Sequence, residues 1–105
     1  MTITEVTDVG LADREFTDDA LVGVPNGPGV YVLLRGGRVL MIGGSPNLEV
    51  ELAAHHHGER GIRTFGATHF RTEETALSQV EDRREELLEG YRRSHNSNVP
   101  RGNNS

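Results

Sequence analysis

GVYVLLRGGRVLMIGG (residues 29–44) sets two short apolar runs on either side of a Gly-Gly pair. Val30–Arg35 and Arg38–Ile42 are rich in β-branched and aliphatic residues, which predicts two strands. Gly36-Gly37 supplies the positive φ angles that a tight hairpin turn wants. Register decides what the hairpin presents. A two-residue loop pairs residues whose numbers sum to 73, which puts Tyr31 opposite Ile42 and Met41 on the other face. A three-residue loop with a bulge brings Tyr31 and Met41 onto one face. The residue pattern leaves both registers open.

Working outward, Pro25-Asn26-Gly27-Pro28 breaks the chain sharply before the first strand. Upstream of it, Thr17-Asp18-Asp19 followed by Ala20 and Leu21 reads as a capped single helical turn, and the acidic start predicts a frayed arm or a short edge strand. Downstream, Ser45-Pro46 reads as N-cap and first helical residue, with Leu48, Leu52 and Ala53 as the apolar side and Gly58 as the stop. Residues 62–71 alternate loosely and predict a third strand. Thr72 is predicted to cap a long helix, with Glu73 and Glu74 favourable to its dipole. The buried stripe of that helix is Ala76, Leu77, Val80, Leu87, Leu88 and Tyr91. The polar stretch from Ser94 onward, with Pro100 and several Asn, predicts loop or disorder. The sum is an α+β domain: a small three-stranded antiparallel sheet flanked by helices. An acidic leader with a short helix is expected over 1–24, the domain over 25–103 and a tail at 104–105.

With 105 residues the chain is expected to be one domain with a single modest core. It has no cysteine, which excludes disulfides and thiolate metal sites. No apolar run approaches the roughly 20 residues of a membrane span, and the polar start is unlike a secretory signal, so no membrane partner and a cytoplasmic location are expected. The formal charge of −5 is concentrated in residues 1–20, where six carboxylates face Arg14 alone; the rest is balanced. A polyanionic partner is therefore opposed by the leader and not by the body of the domain. All eleven basic residues are Arg.

The order of these elements and their short motifs resemble the GIY-YIG nuclease domain family. Gly29-Val30-Tyr31 is similar to the first motif and Met41-Ile42-Gly43 to the second. Gly44-Ser45-Pro46-Asn47-Leu48 resembles the small-residue turn and Asn-Leu helix entry that follow it. Glu81, within ALSQVEDRREELL, resembles the metal-binding Glu of the family, and Pro100 with Asn103 resembles its closing Pro-x-x-Asn. The resemblance implies metal-assisted hydrolysis of a nucleic-acid phosphodiester, with Tyr31 helping to activate water and Glu81 holding Mg2+ or Mn2+. DNA is the partner implied. This sequence departs from the pattern twice: Met41 stands at the second-motif Tyr and Glu51 at the active-site Arg. Reversing a charge beside a phosphate opposes the chemistry, since losing even one preorganised donor costs about a hundred- to a thousandfold in rate. The alternative expectation is a catalytically inactive binding or regulatory module of the same fold, with protein or nucleic acid as partner.

Glu51 and His55, at i and i+4, share a helix face. One reading is a solvated pair; the other joins Glu51 to Glu81 as a two-carboxylate cation site with His55 as general base. His55-His56-His57 is no zinc site, because consecutive helical positions point about 100° apart and at most one can face a given centre. The catalytic candidates are thus Tyr31, His55 and Glu81, with Gly43, Glu51 and Asn103 in support. Arg60, Arg63, Arg71, Arg83 and Arg84 are candidates to restore the missing positive charge.

Overall fold

A computed structural model describes residues 14–61, 66–95 and 97–103. The acidic residues 1–13, the expected strand start at Ile62, Arg63 and the tail 104–105 lie outside the described residues. The elements run β1 (Arg14–Glu15), α1 (Asp18–Leu21), β2 (Gly29–Arg35), β3 (Arg38–Ser45), α2 (Leu48–His56), β4 (His69–Glu74) and α3 (Val80–Ser94). The class is α+β, as expected. The sheet has four strands and not three, in the order β1-β4-β2-β3 with every pair antiparallel.

β2 is central and buried on both faces from Gly29 to Leu34, which is why it reads as an unbroken apolar run. Its odd residues Tyr31 and Leu33 pack with Phe70 of β4 and with Leu48 and Leu52 under α2 and Leu21 of α1. Its even residues Val30, Val32 and Leu34 pack with Ile42 against Leu87 and Leu88 of α3. The domain is therefore three layers deep, with one sheet between two helical faces.

The extra strand comes from the predicted leader. Arg14 and Glu15 pair with Phe70 and His69, and Phe16 and Leu21 enter the core, so residues 14–24 are built into the fold. Thr17 caps α1 as expected, its hydroxyl accepting from the Ala20 amide.

Four boundaries move. β4 continues through Thr72 to Glu74 because β2 pairs along its whole length, so Thr72 lies opposite Tyr31 instead of capping a helix. Its hydroxyl accepts from Arg14 at 3.1 Å. The long helix is entered later, through a 3-10 turn at Leu77–Gln79, with Glu81 and Asp82 in its first turn. Ala76 and Leu77 precede it and are exposed, so the buried stripe begins at Val80. α2 starts at Leu48 with Asn47 as its N-cap, accepting from the Val50 amide, whereas Ser45 closes β3 and exchanges hydrogen bonds with the Asn47 backbone. Finally, the polar end of the chain is structured as far as Asn103: Pro100 is fully buried, and Asn103 Nδ2 donates to the Ile42 carbonyl (2.8 Å) while its Oδ1 accepts from the Ile42 amide (2.9 Å). That side chain imitates a neighbouring strand at the outer edge of β3.

Candidate functional site

The hairpin register builds the site. Arg35 pairs with Arg38 and Leu34 with Val39, as a two-residue turn demands. Leu40 is then skipped, and from Leu33↔Met41 onward the register shifts by one. Tyr31 consequently faces Gly43, and Met41 lies on the same face as Tyr31. The two-residue turn and the shared face, alternatives in the sequence, both occur, because the bulge sits inside the strand and not in the loop.

Gly43 has a steric reason to lack a side chain. A Cβ there would fall inside the Tyr31 ring, against Cζ and Oη. The phenol lies flat over the partner strand and delivers its hydroxyl towards α2.

Five side chains gather there. Tyr31 Oη is 2.9 Å from His55 Nε2 and 3.3 Å from Glu51 Oε2, and the imidazole nitrogen is itself 3.3 Å from that carboxylate oxygen. Met41 Sδ lies 3.9 Å from the hydroxyl. Arg60, in the turn after α2, closes the chain by binding Glu51 through both Nε (3.2 Å) and Nη2 (3.1 Å). Tyr31 is 1% exposed and His55 2%, while the guanidinium end reaches solvent. The shared helix face of Glu51 and His55 is thus turned inward on Tyr31. Of the three consecutive histidines only His55 joins it; His56 packs edge-on to Phe16 and reaches Asp18, and His57 is exposed.

The electrostatics are those of a closed network. Burial, the Glu51 charge and its hydrogen bond all push the Tyr31 phenol far above its ordinary range, against a smaller pull from Arg60 and Arg84. Burial lowers the His55 pKa, outweighing Glu51. Desolvation would raise Glu51, but the Arg60 hydrogen bonds and charge hold it below the usual carboxylate range. The resting state is a neutral phenol, a neutral imidazole and a carboxylate matched to a guanidinium.

A pH dependence follows. His55 and Glu51 bind protons more readily in the unfolded chain, so the stability they confer is complete above about pH 6.5 and declines as pH falls through 6.5 and then 4.5. Tyr31 ionises more readily unfolded, so its contribution is present below about pH 10 and lost above it. Thermal melts followed by circular dichroism should show a plateau from about pH 7 to pH 10 with a fall on both sides. A Tm unchanged from pH 7 down to pH 5 would contradict a neutral, buried His55.

Glu81 lies elsewhere. Its side chain is 71% exposed on the first turn of α3 and is held by Arg84, which also binds Glu85 at 2.9 Å. Arg84 lies on the other face of the sheet, where its aliphatic stem and the side chain of Val80 cover Gly44, opposite Val30 in register, and only its charge is felt at Tyr31. Of the candidate arginines, Arg60 therefore joins the network directly and Arg84 acts on it through charge alone. Arg83 is taken up by Glu73 at 2.7 Å. Asn103 is bound to the β3 backbone and not to the network. Glu51 meets Tyr31, His55 and Arg60 and does not join Glu81; the i,i+4 spacing signalled the face it shares with His55 but not these partners. No protein-family profile and no curated protein matches this chain.

Proposed function

We propose that this chain is a non-hydrolytic binding module on a GIY-YIG-like scaffold. The observation that carries the reading is the closed chain Tyr31–His55–Glu51–Arg60, in which the hydroxyl meant to meet water is buried and bonded within the protein. Among the described residues no buried side-chain nitrogen or oxygen lacks a hydrogen-bond partner, and the Tyr31 hydroxyl is bonded within the protein. The charge pattern agrees. An anionic phosphate approaching Tyr31 meets the Glu51 carboxylate where a transition state needs a cation.

The donor set is also a poor one for Mg2+ or Mn2+. Glu81 is bound to Arg84 and Glu51 to Arg60, and among the described residues no three His, Asp or Glu side chains gather around one point. A hard divalent cation would have to compete with those guanidinium groups for the carboxylate oxygens it prefers. The hydrolytic alternative draws on one feature, the meeting of a phenol with an imidazole that can serve as a base.

Nicking of supercoiled plasmid in millimolar Mg2+ or Mn2+ separates the two. The expected result is no cleavage above the buffer control. Cleavage that disappears in both Glu81→Ala and Tyr31→Phe would overturn the proposal.

A further inference from the structure

The hairpin tip carries an arrangement that the network does not explain. Arg35 and Arg38 are directly opposite each other in register, and both are exposed. Like charges facing across a strand pair are destabilising. Neither has a hydrogen-bond or ion-pair partner among the described residues, whereas Arg60, Arg83, Arg84, Arg92 and Arg93 are each bound to a carboxylate.

Further cations gather at the same end. The side chain of Val80, the first residue of α3, lies over Gly44 near the end of β3, and Tyr91 and Val39 both pack on the shared core cluster. A helix rises about 1.5 Å per residue and a strand about 3.3 Å, so Val80 to Tyr91 and Gly44 to Val39 span nearly equal lengths in opposite directions. Tyr91 therefore lies towards the Val39 end of the sheet, and the helix carries Arg92, Arg93 and His95 in the direction of the hairpin turn. Among the described residues Glu89, bound by both Arg92 and Arg93, and Glu15, opposite His69, are carboxylates towards this end. His95 is exposed and stacks flat on Tyr91, ring centroids 3.8 Å apart at an interplanar angle of 4°.

We infer that the hairpin tip and the end of α3 form a docking surface for a single-stranded nucleic acid. Arg35 and Arg38 clamp the phosphate backbone, since two facing guanidinium forks match phosphate oxygens bidentately and relieve their own repulsion in doing so. The outer face of His95, braced from behind by Tyr91, is a platform for a base. An acidic peptide would satisfy the arginines but leave the platform unused. The surface lies about 13 Å along β2 from Tyr31, so it stands apart from the question of hydrolysis.

Fluorescence anisotropy with a labelled oligo-dT across a salt series tests it. Binding should weaken steeply with salt. Arg35→Gln with Arg38→Gln should weaken it about tenfold and reduce the salt slope by about 1.4, the value for two lost phosphate contacts on a single strand. His95→Ala should weaken it about fivefold with the slope unchanged. Arg83→Gln, at the far end of α3, should bind as the parent does. Circular dichroism checks the fold of each variant, and Arg38→Gln alone decides in the same way should the double variant unfold. The inference is overturned if the parent fails to bind at low salt or if the arginine variants bind undiminished. It is equally overturned if polyglutamate of matched length competes as well as the oligonucleotide, which would assign the surface to an acidic protein.

Discussion

Gly29→Ala is expected to abolish the fold or lower Tm by about 15 °C. A Cβ at Gly29 would fall against the carbonyl oxygen of Glu73 on the neighbouring strand and lie 2.7 Å from Leu48 Cδ1. The obstacle is backbone in a paired strand, so relief requires β2 and β4 to part at one end of the sheet. Overpacking a core typically costs about 1–3 kcal/mol where side chains can give way, and here the backbone must. A loss of about 3 kcal/mol is a large share of what holds a domain of this size together. Gly27→Ala, with nothing within 4 Å of the new methyl, is the matched control and should melt within about 1 °C of the parent. Equal melting of the two variants would show that the approach of β2 to β4 is looser than described.

Gly43→Ala should be the second most damaging small change, and its damage should depend on Tyr31. The methyl would enter the phenol ring, which is buried and tied by its hydroxyl to His55 and Glu51. Turning the ring aside breaks those bonds as well as the packing. We expect about 2 kcal/mol lost with Tyr31 in place. With Tyr31→Leu already present, the added cost of Gly43→Ala should fall to about 0.5 kcal/mol. Chemical denaturation of the four proteins of the cycle measures the difference. Additive losses would mean that Gly43 is small for some reason other than the ring.

The architecture was legible because the central strand announces itself. A run buried on both faces, a Gly-Gly turn and a terminal stripe of Val80, Leu87 and Leu88 need only local periodicity to be recognised. What escaped depends on partners distant in the chain. For Arg14 and Glu15 a short edge strand was one of two readings, and the choice between them fell to the open edge of β4 beside them. Thr72 has the composition of a helix cap, yet pairing with Tyr31 on β2 claims it first. For the site, the i,i+4 spacing of Glu51 and His55 put them on one face but did not say whether that face met water or Tyr31. The bulge at Leu40, which sets the phenol over Gly43, leaves no mark that a two-residue turn would not also leave. Arg60 and Arg84 were two among five candidates, and only the return of the loop after α2 and the pitch of α3 distinguish them.

Asn103 grips the margin of β3 across 61 positions of sequence. During synthesis, β3 is made early and its guard is made late. Throughout that interval the bare strand offers its amides and carbonyls to any similar strand nearby, including those of sister chains on the same messenger. Slow translation between residues 45 and 103 would lengthen the exposure, and a chaperone that shields extended segments would find its first client surface there.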